Sequence, residues 1–137
     1  MILLIIVASS CSRNTVLAPE TIYDSQGKVV ISSSFNRRLG NMSVLYGNKL
    51  ALNSAQQLTP HHVAGEIYTL VTWKQKPMPG WYGSSINGPI ETIETVQVLP
   101  DEQGNISFSY QLLKGHSLSD KQKRIDFIIH QKASIFP

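Results

Sequence analysis

Alternation of apolar and polar positions is the strongest signal in the chain. Over residues 66–73, Ile67, Thr69, Val71 and Trp73 fall on one side of an extended backbone, and Glu66, Tyr68, Leu70 and Thr72 on the other. Bulky apolar residues on both sides predict a central strand covered on two faces. Residues 105–112 set Ile106, Phe108, Tyr110 and Leu112 against Ser107, Ser109 and Gln111, which predicts one face in the core and one in water. The β-rich run at 91–99 joins that strand through a short loop ending in Gly104, so the two read as an antiparallel hairpin. Shorter β-branched or apolar runs at 29–31 and 42–46 add further strands.

Two segments switch to helical spacing. Residues 49–58 place Leu52, Ala55 and Leu58 together, with Asn48 where an N-cap would satisfy free backbone amides. Residues 117–134 place Ile125, Ile128, Ile129 and Leu118 in one stripe, behind Ser117-Leu118-Ser119-Asp120, which resembles a capping box. Pro60 closes the first helix region, and Pro77 and Pro79 stop the central strand because neither donates to a ladder. Asp24-Ser25-Gln26-Gly27 reads as a turn and the Arg37-Arg38 pair before Gly40 as a loop. The fold class is therefore α+β, an antiparallel sheet of about five strands with two helices.

Composition narrows the function. The 137 residues suit one domain, and 42 % apolar with 15 % charged residues describes a folded chain. The net charge of +3 is mild. The densest basic run, Lys121, Lys123 and Arg124, is mixed with Asp120 and Asp126, so it reads as a solvated helix face rather than a nucleic-acid surface. His61 and His62 are adjacent, point in different directions on any regular backbone, and read as exposed loop residues rather than metal ligands. Glu91 and Glu94 are three apart and fall on opposite faces of a regular strand, which argues against a paired acid site. No nucleophile elbow, phosphate loop, H-E-x-x-H or dinucleotide fingerprint is present. The balance leans away from an enzyme, with no catalytic or metal-ligating residue assigned. Asn41-Met42-Ser43 and Asn105-Ile106-Ser107 match a glycosylation pattern by chance.

At the N-terminus an apolar run, residues 2–7, precedes Ala8-Ser9-Ser10-Cys11, with no basic side chain before the cysteine. Small residues before a lone cysteine resemble the lipobox of bacterial lipoproteins. The resemblance implies a signal peptide at 1–10, lipidation of Cys11, a linker to residue 19 and one domain over 20–137. It also implies a membrane-anchored protein of the bacterial cell envelope, facing the periplasm. The competing reading is a buried strand with a core cysteine.

Three blocks in the middle of the chain resemble the cytochrome P-460 family, which is related to cytochrome c′-beta. They are Tyr46-Gly47-Asn48-Lys49-Leu50-Ala51, Gly65 with the strand ending in Trp73-Lys74, and Pro79-Gly80-Trp81 with Gly88. The resemblance implies an antiparallel sheet with helices, often dimeric, so a homodimer is a possible partner state. The family attaches haem through a C-terminal C-x-x-C-H. This chain has no cysteine after Cys11, Lys49 stands at the family's acid position, and Leu70 stands where a lysine often lies. Covalent haem is thereby excluded. What the resemblance then implies is a haem-free domain binding a small ligand or a protein partner. Tyr68, Trp73, Trp81 and Tyr82 are the candidate pocket residues, with core packing as the competing role of each tryptophan. The alternative is a sensor or oxidoreductase holding non-covalent haem through His116 or His130.

Overall fold

Five strands lie side by side in chain order, each antiparallel to the next: β1 (Val29–Asn36), β2 (Asn41–Gly47), β3 (Ile67–Pro77), β4 (Ser85–Pro100) and β5 (Ile106–Lys114). Helix α1 (Lys49–Gln56) connects β2 to β3, and α2 (Lys121–Ile129) follows β5. These elements come from a computed structural model, which describes residues 18–78, 80–116 and 120–134. Cys11, the proposed signal peptide, Pro79, the capping-box residues Ser117 to Ser119 and the C-terminal 135–137 lie outside the described residues.

β3 is the central strand, and its alternation behaves as the sequence requires. Tyr68 and Leu70 join Ile31, Leu45, Val96 and Val98 under the two helices. Val71 and Trp73 join Val44 and Ile90 on the opposite face. Neither α1 nor α2 covers that second face. The chain before β1 crosses it instead, with the Trp73 indole donating to the Thr21 carbonyl at 2.9 Å and Tyr23 packed on Tyr46 at 5.1 Å between ring centroids.

Asn48 organises the turn from β2 into α1. Its side chain accepts from Ala51 N at 3.0 Å as the N-cap and donates to the Gly65 carbonyl at 2.7 Å. Gly47 sits so close to the core that a Cβ there would lie 2.4 Å from Ile31 Cδ1 and 2.9 Å from Ala51 Cβ. The first two resemblance blocks are thus joined directly through Asn48 and Gly65.

Several expectations are corrected. The strands are longer than the runs that announced them, because cross-strand pairing carries polar residues such as Ser33 and Asn87 into the ladder. In α1 the buried residues are Ala51, Ser54 and Ala55, while Leu58 lies past the helix and is almost fully exposed. Ile106 is exposed, since it is the first residue of β5 and pairs with Pro100 at the sheet's end. Helix α2 is shorter than 117–134. Asp120 occupies its N-cap without a side-chain cap bond, and the chain after Ile129 leaves the helix to donate from Ala133 N to Ala55 O and from Ser134 N to Ile31 O. Those bonds tie the tail across α1 and β1, which competes successfully with continued helix. Ile125, Ile128 and Ile129 are buried as the spacing requires. Among the described residues, no helix is long and apolar enough to cross a membrane.

Candidate functional site

The helix-covered face of the sheet changes character along β1 to β4. In β2 the inward series runs Leu45, Ser43, Asn41; in β3 it runs Tyr68, Leu70, Thr72; in β4 it runs Val98, Val96, Glu94, Thr92. In β1 a bulge between Val30 and Ser32 resets the alternation, and Ser32, Ser34 and Asn36 continue on this face. The isoleucines of α2 pack only on the apolar half. Among the described residues only Arg124 and Phe127 of α2 border the hydroxyl-bearing half, and a cleft of about 450 Å³ opens there. Its size is within the range of small-molecule sites.

Leu70 forms the floor of this cleft, with Ser34, Ser43, Thr72 and Thr92 supplying hydroxyls and Asn36 and Asn41 supplying amides. Ser43 Oγ and Thr72 Oγ1 are 2.9 Å apart. Arg124 and Phe127 of α2, with Leu39, Gly115 and His116, complete the lining. Glu91 also lines it. The expected opposition of Glu91 and Glu94 fails because the β3–β4 register shifts between Thr72 and Trp73, so Glu91 and Thr92 both reach the cleft.

Arg124 is the cleft's fixed cation. Its Nε donates to Glu94 Oε1 at 2.8 Å and its Nη2 to Glu94 Oε2 at 2.5 Å, while Tyr110 OH donates to Oε1 at 2.8 Å. The guanidinium carbon stands 5.0 Å from the centre of the Phe127 ring. The bidentate bond to Glu94 raises the guanidinium pKa further above its ordinary value, although burial opposes this. Nη1 has no hydrogen-bond partner among the described residues. Arg124 therefore offers a donor to the cleft while its charge is balanced by Glu94. This corrects the reading of Lys121, Lys123 and Arg124 as one solvated face: Lys121 and Lys123 are exposed, and Arg124 turns inward.

A second polar cluster lies under α1 at the other end of the same face. Glu66 is fully buried and accepts from four groups. Ser54 Oγ and Val63 N (2.8 Å) reach Oε1, and Tyr68 OH (2.8 Å) and His62 Nδ1 (2.8 Å) meet Oε2. Burial pushes the Glu66 carboxyl up, but the bonds from Ser54, Val63, His62 and Tyr68 outweigh it and hold the pKa below the ordinary value. The Tyr68 hydroxyl is pushed well up, first by burial and then by the adjacent carboxylate, so it remains a donor. His62 is therefore not the exposed loop residue its pairing with His61 suggests. Its side chain is 11 % exposed, and its ring meets Phe108 edge-on at 5.7 Å. His61 is exposed.

The structure does not gather the four aromatic residues singled out from the sequence. Tyr68 belongs to the Glu66 cluster, and Trp73 is packed on the opposite face of the sheet. Trp81 and Tyr82 are exposed in the β3–β4 loop, where both line a shallow groove with Gln75, Lys76 and Met78. His116 lines the cleft, and His130 is exposed with Nδ1 2.8 Å from the Asp126 carbonyl. Sequence reasoning missed Ser43, Thr72, Thr92 and Arg124. The available signal was the run of hydroxyl residues at inward positions, which an apolar core would not require. Among the described residues, no group of three or more His, Cys, Asp or Glu is placed to hold a metal ion.

Fold and site together define an α+β domain built on a five-stranded antiparallel meander, with a ligand-sized cleft of mixed hydroxyl, amide and apolar lining beside the last helix. No family model matches the chain, and no curated protein matches it.

Proposed function

We propose that the chain is a membrane-tethered envelope lipoprotein whose haem-free, cytochrome P-460-like domain binds a small polar ligand in the cleft beside Arg124. The observation that carries the binding reading is the row of Ser34, Ser43, Thr72 and Thr92 hydroxyls beside a cation already neutralised by Glu94. Hydroxyls donate and accept, so they suit a neutral ligand rich in hydroxyl or amide groups. Leu70 below and Phe127 at the side offer apolar surface to its carbon skeleton. The cytochrome P-460-like part of the reading draws support from the direct bonding of the Gly47-Asn48 and Gly65 blocks, and the tether from the Ala8-Ser9-Ser10-Cys11 pattern.

Thermal-shift screening with sugars, polyols and small amides is the test. A ligand present at 100 times its dissociation constant should stabilise the fold by about 2.7 kcal/mol. The shift should be lost in Thr72→Val and Ser43→Ala while the unliganded melting temperature changes little. A shift that survives both substitutions would place the ligand elsewhere, and no shift with any member of these classes would remove the polar-ligand reading.

A haem reading would rest on His116, the histidine that lines the cleft. The lining mixes hydroxyl and amide groups with Leu39, Leu70 and Phe127, and the hydroxyls would stay unpaired against a flat apolar macrocycle. Protein isolated after haem supplementation would show a Soret band lost in His116→Ala if that reading held, and none if the polar-ligand reading holds.

A further inference from the structure

β3 and β4 run past the rest of the sheet. Pairing of β2 with β3 ends at Asn41 opposite Lys74, and pairing of β5 with β4 ends at Lys114 opposite Ile93. Beyond these points Gln75, Lys76 and Pro77 pair only with Asn87, Ile86 and Ser85. The result is a two-stranded arm. At its tip Trp81 is 67 % exposed, Tyr82 is fully exposed, and Met78 is exposed beside them. Among the described residues both rings stand exposed. Burying either on the protein's own core would have been favourable, so their exposure marks a contact surface.

The geometry points to this arm as the element that seats the domain on an anionic lipid bilayer. Trp and Tyr combine an apolar ring with a polar handle and favour the headgroup level of membranes. The surrounding charge is complementary to anionic headgroups. Lys76 lies on the arm, Lys74 at its base, Arg37 and Arg38 in the β1–β2 turn beside that base, and Lys114 at the end of β5; Gln75 N donates to the Gly40 carbonyl at 2.9 Å and ties that turn to the arm. Glu91, which accepts from Asn41, Glu20 next to Thr21, and Asp120 at the start of α2 are carboxylates toward this end. The other end of the sheet presents Asp24, Asp101 and Glu102 with Lys28 and Lys49, so the arm end is the basic pole of the domain.

The path of the chain agrees. β1 begins at Val29 opposite Gly47; going backwards, Tyr23 packs on Tyr46, and Thr21 accepts from Trp73 at the base of the arm. The segment is therefore heading toward the arm's end as it approaches Ala18. Cys11 lies seven residues before Ala18, a span of at most about 25 Å in extended chain. A lipid on Cys11 would bring the bilayer to this end of the domain. The approach of the bilayer through Cys11 rests on the proposed lipidation, whereas the exposed rings and the charge do not. A second copy of the chain is the less favoured occupant, because a symmetric contact through this end would set two basic poles together.

The test uses the full chain carrying Cys11→Ser with Leu4→Asp and Ile6→Asp, which remove the acyl site and break the apolar run at residues 2–7, so that any binding comes from the domain. Vesicles of phosphatidylcholine with phosphatidylglycerol should bind it, with a blue shift of the Trp81 fluorescence, and pure phosphatidylcholine vesicles should bind it at least tenfold more weakly. Trp81→Ala with Tyr82→Ala should abolish binding without changing the melting temperature, and Lys74→Gln with Lys76→Gln should weaken it about tenfold. Binding unchanged by the Trp81/Tyr82 substitutions, or absent from the phosphatidylglycerol vesicles, overturns the inference. Self-association abolished by those substitutions, without vesicle binding, would assign the arm to a second copy and also overturn it. Labelling of the unsubstituted chain by a palmitate analogue, lost in Cys11→Ala, reads the anchor separately. A failed label with intact vesicle binding removes the anchor and leaves the arm.

Discussion

Glu66→Ala is expected to lower the unfolding free energy by about 3–5 kcal/mol, measured by urea denaturation. The carboxylate is fully buried and collects Ser54 Oγ, Val63 N, Tyr68 OH and His62 Nδ1. Removing it leaves those groups facing one another around a void, each losing a charge-assisted bond. A loss under about 1 kcal/mol would show that water or a rearranged His62 replaces the carboxylate at little cost, and that the cluster does not hold α1 to the sheet.

The same residue gives the pH response its sign. The ordinary glutamate value is 4.5, and in the folded chain it is lowered. The unfolded chain therefore binds the proton more readily, and the folded state gains stability above the ordinary value. That gain is fully present above about pH 5 and disappears as pH falls through 4.5 toward the depressed folded value. Unfolding free energy should thus fall on the acid side in the natural chain, and the slope should be shallower in Glu66→Ala.

Glu94→Ala is the second large effect, expected to cost about 2–3 kcal/mol by denaturant unfolding, because it strands the Arg124 guanidinium and removes one acceptor from the Tyr110 hydroxyl. The Arg124 side chain is 16 % exposed, and the adjoining cleft gives it water to turn toward, which keeps the cost below that of Glu66→Ala. Replacing both partners, Glu94→Leu with Arg124→Met, should recover most of the stability, since an apolar pair of similar volume is often as stable as a buried ion pair. The double variant should still fail to show any ligand-induced thermal shift. Stability recovered together with ligand binding would mean that Arg124 has no part in the cleft's function.

The positions of the elements were readable in advance where the period was long and clean. The alternation over 66–73 placed Tyr68 and Leu70 on one face and Val71 and Trp73 on the other, as found. Asn48 marked the start of α1, and its cap bond is present. Ile125, Ile128 and Ile129 marked the buried stripe of α2. Errors gathered where local pattern competes with distant partners. Nothing near His62 announces its burial, because the group that satisfies it, Glu66, becomes a buried acceptor only when α1 and β3 close over it. The bulge at Glu91 and Thr92 cannot be read from their spacing, because spacing assumes an unbroken pleat.

The chain's own alternation and punctuation decided that it forms an antiparallel α+β sheet, which strand is central, and where α1 begins, since these follow from side-chain period and backbone satisfaction within a few residues. Only the tertiary structure decided where the chemistry lies. Helix α2 only borders the hydroxyl-bearing half of the sheet, the bulges bring Glu91 and Thr92 beside Arg124, and the β3–β4 arm carries Trp81 and Tyr82 away from the core. Each depends on groups tens of residues apart meeting in space, and period alone does not encode such meetings.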